Sequence, residues 1–100
     1  MAARWYERQG YVLLDRNWRC REGEIDLVVA RGRLVVFGEV KTRTSDAFGS
    51  PASAVTATKR ARIRRVAMRW LEANAVRGVS LRFDVVSVIG RSVEVIEAAF

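Results

Sequence analysis

Histidine is absent from this chain of 100 residues, and cysteine occurs once, at Cys20. The lack of histidine excludes the most frequent general acid–base residue of enzymes and a common nitrogen ligand of metals. A lone cysteine excludes a disulfide framework within the chain and a cysteine cluster for zinc. Any metal ion must therefore be bound through oxygen atoms, which favours Mg²⁺ or Mn²⁺.

Long hydrophobic runs are also missing. Half of the residues are hydrophobic, but no run reaches the roughly 20 residues that a membrane span needs. The N-terminal residues MAARWYERQG do not have the ordered regions of a signal peptide. We therefore expect a single cytoplasmic domain, spanning residues 1–100, without a membrane partner.

Lysine is scarce, with only Lys41 and Lys59 among 18 basic residues. The net charge of +7 is therefore carried almost entirely by arginine. Because the planar guanidinium binds phosphate in a bidentate way, an arginine-rich domain indicates a nucleic-acid partner before a membrane. The alternative is a basic surface whose charge only keeps the protein in solution.

Hydrophobic periodicity and glycine positions predict helices and strands in the order α-β-β-β-α-β-β. This order predicts an α/β fold with a mixed central sheet flanked by helices. A loop over Arg43–Pro51 follows the third strand, and Thr56 or Thr58 caps the second helix. The predicted elements are a helix over Ala2–Gln9, a strand over Tyr11–Leu14 continued by Asn17–Cys20, strands over Glu24–Ala30 and Leu34–Thr42, a helix to about Ala75, and strands over Leu81–Ile89 and Ser92–Ile96.

Three charged residues interrupt the two central strands, Asp26 in GEIDLVV and Glu39 and Lys41 in LVVFGEVKTR. Strand interiors rarely carry charge unless it is paired or bound to a metal. Gly32-Arg33 suits a two-residue type II′ turn, which sets a register in which opposing residue numbers sum to 65. This register places Asp26 opposite Glu39 and Glu24 opposite Lys41, all on one face.

Two carboxylates so close together repel each other unless a cation lies between them. We therefore predict a Mg²⁺ or Mn²⁺ site whose ligands are Asp26, Glu39 and the backbone carbonyl of Val40, with Glu24 as a further candidate. Lys41 would orient or help to deprotonate the attacking water, so the predicted catalytic residues are Asp26, Glu39 and Lys41. The alternative is a cross-strand ladder of salt bridges between these side chains and a nearby arginine.

The second predicted helix combines an apolar stripe with many basic residues. The stripe has helical spacing and consists of Ile63, Val66, Ala67, Trp70 and Leu71. Like charges four residues apart destabilise a helix by roughly a few tenths of a kcal/mol per pair, a cost that bound phosphates would relieve. The alternative is that these side chains are simply solvated. The predicted nucleic-acid-binding residues are Arg43, Lys59, Arg60, Arg62, Arg65 and Arg69.

The spacing of Asp26 and Glu39-Val40-Lys41 resembles that of the PD-(D/E)XK nuclease superfamily. The chain as a whole resembles the YraN-like family of small bacterial predicted endonucleases, which are similar to archaeal Holliday-junction resolvases. The matching blocks are GYVLLDRNWR, GEIDLV, VFGEVKTR, FGSP, RFDVV and the terminal AF. The resemblance implies a restriction-endonuclease-like core and Mg²⁺-dependent hydrolysis of structured or branched DNA, with DNA favoured over RNA.

The resemblance also implies a homodimer, because resolvases of this kind act as dimers. In the resolvases a glutamate on the first helix joins the metal site. This chain begins at Met1-Ala2-Ala3, so we expect a truncated first helix without that glutamate. Glu22 and Glu24 are the candidates to compensate, Glu24 by its predicted face. A non-catalytic nucleic-acid-binding module of the same fold is the alternative function, and a protein-interaction domain with a basic helix is a third.

Overall fold

The structure, a computed structural model, describes residues 1–43 and 55–100. Most of the loop predicted over Arg43–Pro51 lies outside the described residues. The observed order α-β-β-β-α-β-β agrees with the prediction. The elements are α1 (Ala2–Arg8), β1 (Val12–Cys20), β2 (Gly23–Arg31), β3 (Leu34–Arg43), α2 (Ala57–Ala73), β4 (Ser80–Ile89) and β5 (Ser92–Ile96).

The strands form one sheet in the order β1-β2-β3-β4-β5. The pairs β1–β2, β2–β3 and β4–β5 are antiparallel, whereas β3 and β4 are parallel. Parallel neighbours need a crossover connection, and α2 lies within this one. The sheet is therefore mixed, as predicted.

Strand β1 runs without interruption over Val12–Cys20, so the segment predicted over Asn17–Cys20 continues the one predicted over Tyr11–Leu14. Its pairing with β2 shifts register between Leu13 and Asp15, and Asn17 adopts a positive φ of 51°. A β-bulge accommodates an extra residue without ending a strand. The gap that the sequence analysis left between the two segments is therefore an irregular part of one strand.

Gly-Arg pairs form two of the tight turns of the sheet, at opposite ends. Gly32 has φ 60° while Arg33 stays at negative φ, which agrees with the predicted turn geometry. The register predicted for β2–β3 is confirmed from Arg31–Leu34 to Leu27–Gly38. The second turn, at Gly90-Arg91, joins β4 and β5 as predicted, with Ile89 paired to Ser92.

Among the described residues, each face of the sheet carries one helix. The predicted stripe of α2 is buried and packs against Val28, Phe37 and Val85. On the opposite face Tyr6 of α1 packs with Leu27, Val29, Val36 and Val86. Removing a side chain of this size from water stabilises a fold by roughly 1.5–3 kcal/mol. Within the described ranges no helix is both long and apolar enough to cross a bilayer.

A buried carboxylate connects the first helix to the end of the chain. Asp84 is fully buried and accepts hydrogen bonds from the Tyr6 hydroxyl at 2.7 Å, the Ala98 N–H at 3.0 Å and two Arg82 nitrogens at 2.9 Å. Burial and then the bond to Asp84 raise the pKa of Tyr6. Asp84 is thus a fully compensated structural charge.

Candidate active site

The β2–β3 hairpin stops pairing at the end distant from its turn. The last paired residues are Leu27 and Gly38. Beyond them, Asp26 Oδ2 accepts a hydrogen bond of 2.8 Å from the backbone N–H of Val40. The Asp26 carboxylate therefore takes the place of a strand carbonyl, so its position is fixed by the backbone of β3.

Strict alternation of faces along β2 breaks at this point. The predicted register puts Asp26 on one face of β2, and alternation then predicts Ile25 on the opposite face with Leu27 and Val29. Ile25 instead packs in the α2-side core with Val28. This prediction is wrong because β2 and β3 part at Asp26, and the β2 residues beyond that point are paired only with β1. A side chain at such a point can lie along the sheet edge rather than on one face.

The predicted pairing of Glu24 with Lys41 is also wrong. Glu24 lies opposite Arg19 of β1, and its Oε2 is 3.3 Å from Arg19 Nε. Lys41 Nζ is instead 3.3 Å from Glu39 Oε1, an ion pair within β3. Because β2 and β3 have separated, each side chain pairs with the nearest opposite charge.

Glu39 is the electrostatically perturbed member of the group. Burial raises the pKa of Glu39, and the negative charge of Asp26 raises it further. Lys41 and Lys59 act in the opposite direction but do not cancel these effects. Asp26 and Glu39 are therefore close enough to repel each other, as the sequence predicts.

These side chains border a small cleft between the sheet and α2. The cleft has a volume of about 200 Å³ and contains Glu24, Asp26 and Glu39 on one wall. Lys59 and Arg62 of α2 form the other wall. Carboxylates thus face basic side chains across a gap that can admit a phosphate group.

The donor set can be compared with what Mg²⁺ requires. Within residues 1–43 and 55–100, no group of three or more acidic, histidine or cysteine side chains is arranged to hold a metal. Mg²⁺ usually keeps several waters and needs only one or two carboxylates, so Asp26 and Glu39 fit this ion. Val40 reaches the site through its N–H, and ligation by its carbonyl stays a prediction.

Five of the six predicted nucleic-acid-binding residues, all except Arg43, divide into two groups. Arg69 is 3.0 Å from Glu22 and 3.8 Å from Glu72, and Arg60 donates to the Val55 carbonyl. These two are held by the protein itself. Lys59, Arg62 and Arg65 are exposed and have no ion pair among the described residues, and Arg43 is half-buried at the end of β3.

Sequence reasoning did not identify Ser87, whose backbone lies beside Lys41 in the parallel β3–β4 pair. Its side chain is 1% exposed, and its hydroxyl has no hydrogen-bond partner in the part of the chain that the structure describes. The hydroxyl of Ser87 within the apolar run VVSVI could have drawn attention to this residue, because buried polar groups normally have hydrogen-bond partners.

A larger cavity lies on the α1 side of Asp26. It has a volume of about 570 Å³, and its walls include Arg16 and Asn17 of β1, the start of α1, Thr42 and Gly90. Asp26 borders this cavity as well as the cleft beside α2. The carboxylate is thus accessible from both faces of the sheet.

The chain is an α/β domain with an acidic–basic cleft at the open end of its central hairpin. It belongs to the uncharacterised protein family UPF0102, whose model matches residues 1–88. A UPF0102 protein of Beutenbergia cavernae is 51% identical over 89 residues, 89% of this chain and 75% of that protein. One from Frankia alni is 54% identical over 88 residues, 88% of this chain and 73% of that protein. The predicted membership of a family of small bacterial proteins is thereby confirmed, whereas the relation to the PD-(D/E)XK nucleases stays a prediction, because the names of these relatives state no activity.

Proposed function

We propose that this protein is a metal-dependent endonuclease of restriction-endonuclease-like fold that acts on structured or branched DNA. The observation that carries the proposal is the pair Asp26 and Glu39, which share one cleft with each other and with Lys59 and Arg62. The resemblance of Asp26 and Glu39-Val40-Lys41 to the PD-(D/E)XK nucleases supports it.

The two carboxylates are suited to hold a divalent cation. Burial and mutual repulsion raise the pKa of Glu39, and a cation between the two groups would remove that repulsion. Mg²⁺ at Asp26 and Glu39 would supply charge neutralisation of the phosphate and acidification of water.

The remaining side chains of the site can orient the attacking water and bind the phosphates. The Lys41 ammonium, 3.3 Å from Glu39, can hold the attacking water by a hydrogen bond. Lys59 and Arg62 can bind the phosphates next to the scissile bond from the α2 side. The hydrogen bond from Val40 keeps Asp26 in place during this chemistry.

A mixture of purified protein with a four-way DNA junction and Mg²⁺ or Mn²⁺ tests the proposal. We expect cleavage that is lost in Asp26→Asn and Lys41→Ala, while binding of the junction is retained. Glu7→Gln, a change at an exposed carboxylate of α1, is the matched control and should cleave normally. Competition with RNA of the same sequence separates DNA from RNA preference.

A non-catalytic nucleic-acid-binding module is the second candidate, favoured by the absence of a three-ligand acidic group among the described residues. It predicts junction binding with no cleavage in either metal, a result that would sink the enzyme proposal. A protein-interaction domain predicts no appreciable DNA affinity near physiological salt. Phosphate binding instead predicts an affinity that falls steeply as salt rises.

A further inference from the structure

A second basic groove lies on the side of the sheet opposite α2. Arg4 and Arg8 of α1 and Arg91 of the β4–β5 turn border this groove, which has a volume of about 350 Å³. All three arginines are exposed. We refer to Arg4, Arg8 and Arg91 as the α1-side arginines.

Within the described ranges none of the α1-side arginines forms an ion pair, although Glu7 of α1 lies between Arg4 and Arg8 in the sequence. Arg4 and Arg8 are four residues apart on one helix, a spacing at which like charges destabilise. The first turn of α1 contains no acidic residue. A polyanion bound in the groove would relieve this repulsion.

The groove continues towards the candidate active site. Met1 borders both this groove and the cavity on the α1 side of Asp26. Gly90, the neighbour of Arg91 in the turn, also borders that cavity. A chain of phosphates along the α1-side arginines would therefore approach Asp26 from one face, while Lys59 and Arg62 approach it from the other.

We propose that the α1-side arginines form a second phosphate-binding surface for the DNA backbone. The inference rests on the proposed function for the identity of the ligand and adds that the DNA contacts both faces of the sheet. A straight duplex cannot follow both faces around one sheet edge without bending, whereas the arms of a junction can diverge. The geometry therefore favours branched DNA over a linear duplex of equal length.

The two Gly-Arg turns offer a matched pair of variants. Arg91 and Arg33 occupy the same position in equivalent two-residue turns, but Arg33 lies at the other end of the sheet from Asp26. Both side chains are exposed. Arg91→Ala and Arg33→Ala therefore remove the same charge from the same kind of turn, at different distances from the proposed path.

The experiment measures Kd for a four-way junction and for a linear duplex by fluorescence anisotropy over a series of salt concentrations. Every protein carries Asp26→Asn, so that binding is read without cleavage. We expect Arg91→Ala to weaken junction binding several-fold and to lower the slope of log K against log salt by about one. The triple change Arg4→Ala, Arg8→Ala and Arg91→Ala should lower that slope by about three and reduce the preference for the junction.

Arg33→Ala should leave the slope of log K against log salt and the preference for the junction unchanged. Equal effects of Arg33→Ala and Arg91→Ala, or no effect of the triple variant at constant thermal stability, would overturn the proposal. Binding to vesicles containing phosphatidylserine that depends on these arginines, with unchanged DNA binding, would also overturn it. If the wild-type protein binds the junction through the α1-side arginines but never cleaves it with Mg²⁺ or Mn²⁺, the nuclease proposal is wrong while the proposed phosphate-binding surface stands.

Discussion

The sheet contains two centres of negative charge, and the protein compensates them to different degrees. Asp84 is fully buried and receives four hydrogen bonds, from Tyr6, Arg82 and the backbone of Ala98. Asp26 and Glu39 are half-buried, and the pKa of Glu39 is raised by burial and by Asp26. The charge of Asp84 is fully compensated by contacts within the fold, whereas the charges of Asp26 and Glu39 are compensated only in part.

The difference indicates what each centre does. A buried charge that is paired and hydrogen-bonded belongs to the structure, and removing one partner is costly. A pair of like charges at an open cleft lowers stability and is more readily explained by a ligand that completes it. Variants at the two centres should therefore act on different properties of the protein.

The largest effect is expected from Asp84→Asn. Breaking a buried ion pair typically costs about 3–5 kcal/mol, a large part of the roughly 5–15 kcal/mol that stabilises a domain. Asp26→Asn keeps an oxygen that can accept the Val40 N–H, so its cost should stay below about 1 kcal/mol. Urea denaturation monitored by circular dichroism measures the free energy of unfolding of both variants. Similar losses of stability in the two variants would contradict the distinction.

Glu39→Gln should stabilise the metal-free protein at neutral pH and raise its Tm by a few degrees. The raised pKa means that the folded protein binds a proton at Glu39 more tightly than the unfolded chain does. The contribution of Glu39 to stability is therefore lost as pH rises from the ordinary carboxyl range through the raised pKa. Thermal melts of wild type and Glu39→Gln between pH 4 and 8 (a span of about four units around that window) should diverge as pH increases.

Addition of Mg²⁺ should reverse the order of stability of wild type and Glu39→Gln. A ligand at ten times its Kd stabilises the folded state by about 1.4 kcal/mol, so wild type should gain stability on addition of Mg²⁺. Glu39→Gln should gain much less stability, because one of the two side chains proposed to bind Mg²⁺ is then uncharged. Equal gains in the two proteins would show that Mg²⁺ does not bind at Glu39, and Ca²⁺ provides a control for non-specific effects.

The smallest effects concern the arginines of α2, which show the same contrast. Arg69 is paired with Glu22 and Glu72, whereas Arg62 faces the cleft without an ion pair among the described residues. Arg62→Ala should weaken DNA binding several-fold and lower the salt slope by about one. Arg69→Ala should change binding less, because its charge is already neutralised. Equal effects in anisotropy titrations would show that internal pairing does not decide which arginines bind.

Much of the fold was predictable from local patterns. The stripe from Ile63 to Leu71 gave α2 and its buried face, and Thr56 caps that helix as one of the two predicted candidates. Gly32-Arg33 gave the turn and the β2–β3 register. The contacts that bury Asp84 could not be read from the sequence, because Tyr6 and Ala98 belong to distant parts of the chain.

The candidate site was predictable in its members and less so in its geometry. Asp26, Glu39 and Lys41 followed from charges placed in apolar runs, and Asp26 and Glu39 do come together. Glu24 and Ile25 were assigned to the wrong partners because a register derived from a turn holds only while the strands stay paired. The point where β2 and β3 separate depends on the Asp26–Val40 hydrogen bond, which a pattern of side-chain types does not encode.

The sequence by itself determined the order of elements, the basic charge and the identity of the carboxylates, because these follow from local periodicity and composition. Only the tertiary structure decided which charges are compensated. Arg69 and Glu22, for example, are 47 residues apart in the chain and meet only on folding. Whether a charge is neutralised internally or left for a ligand depends on burial and on distances between segments, and packing of the whole chain sets both.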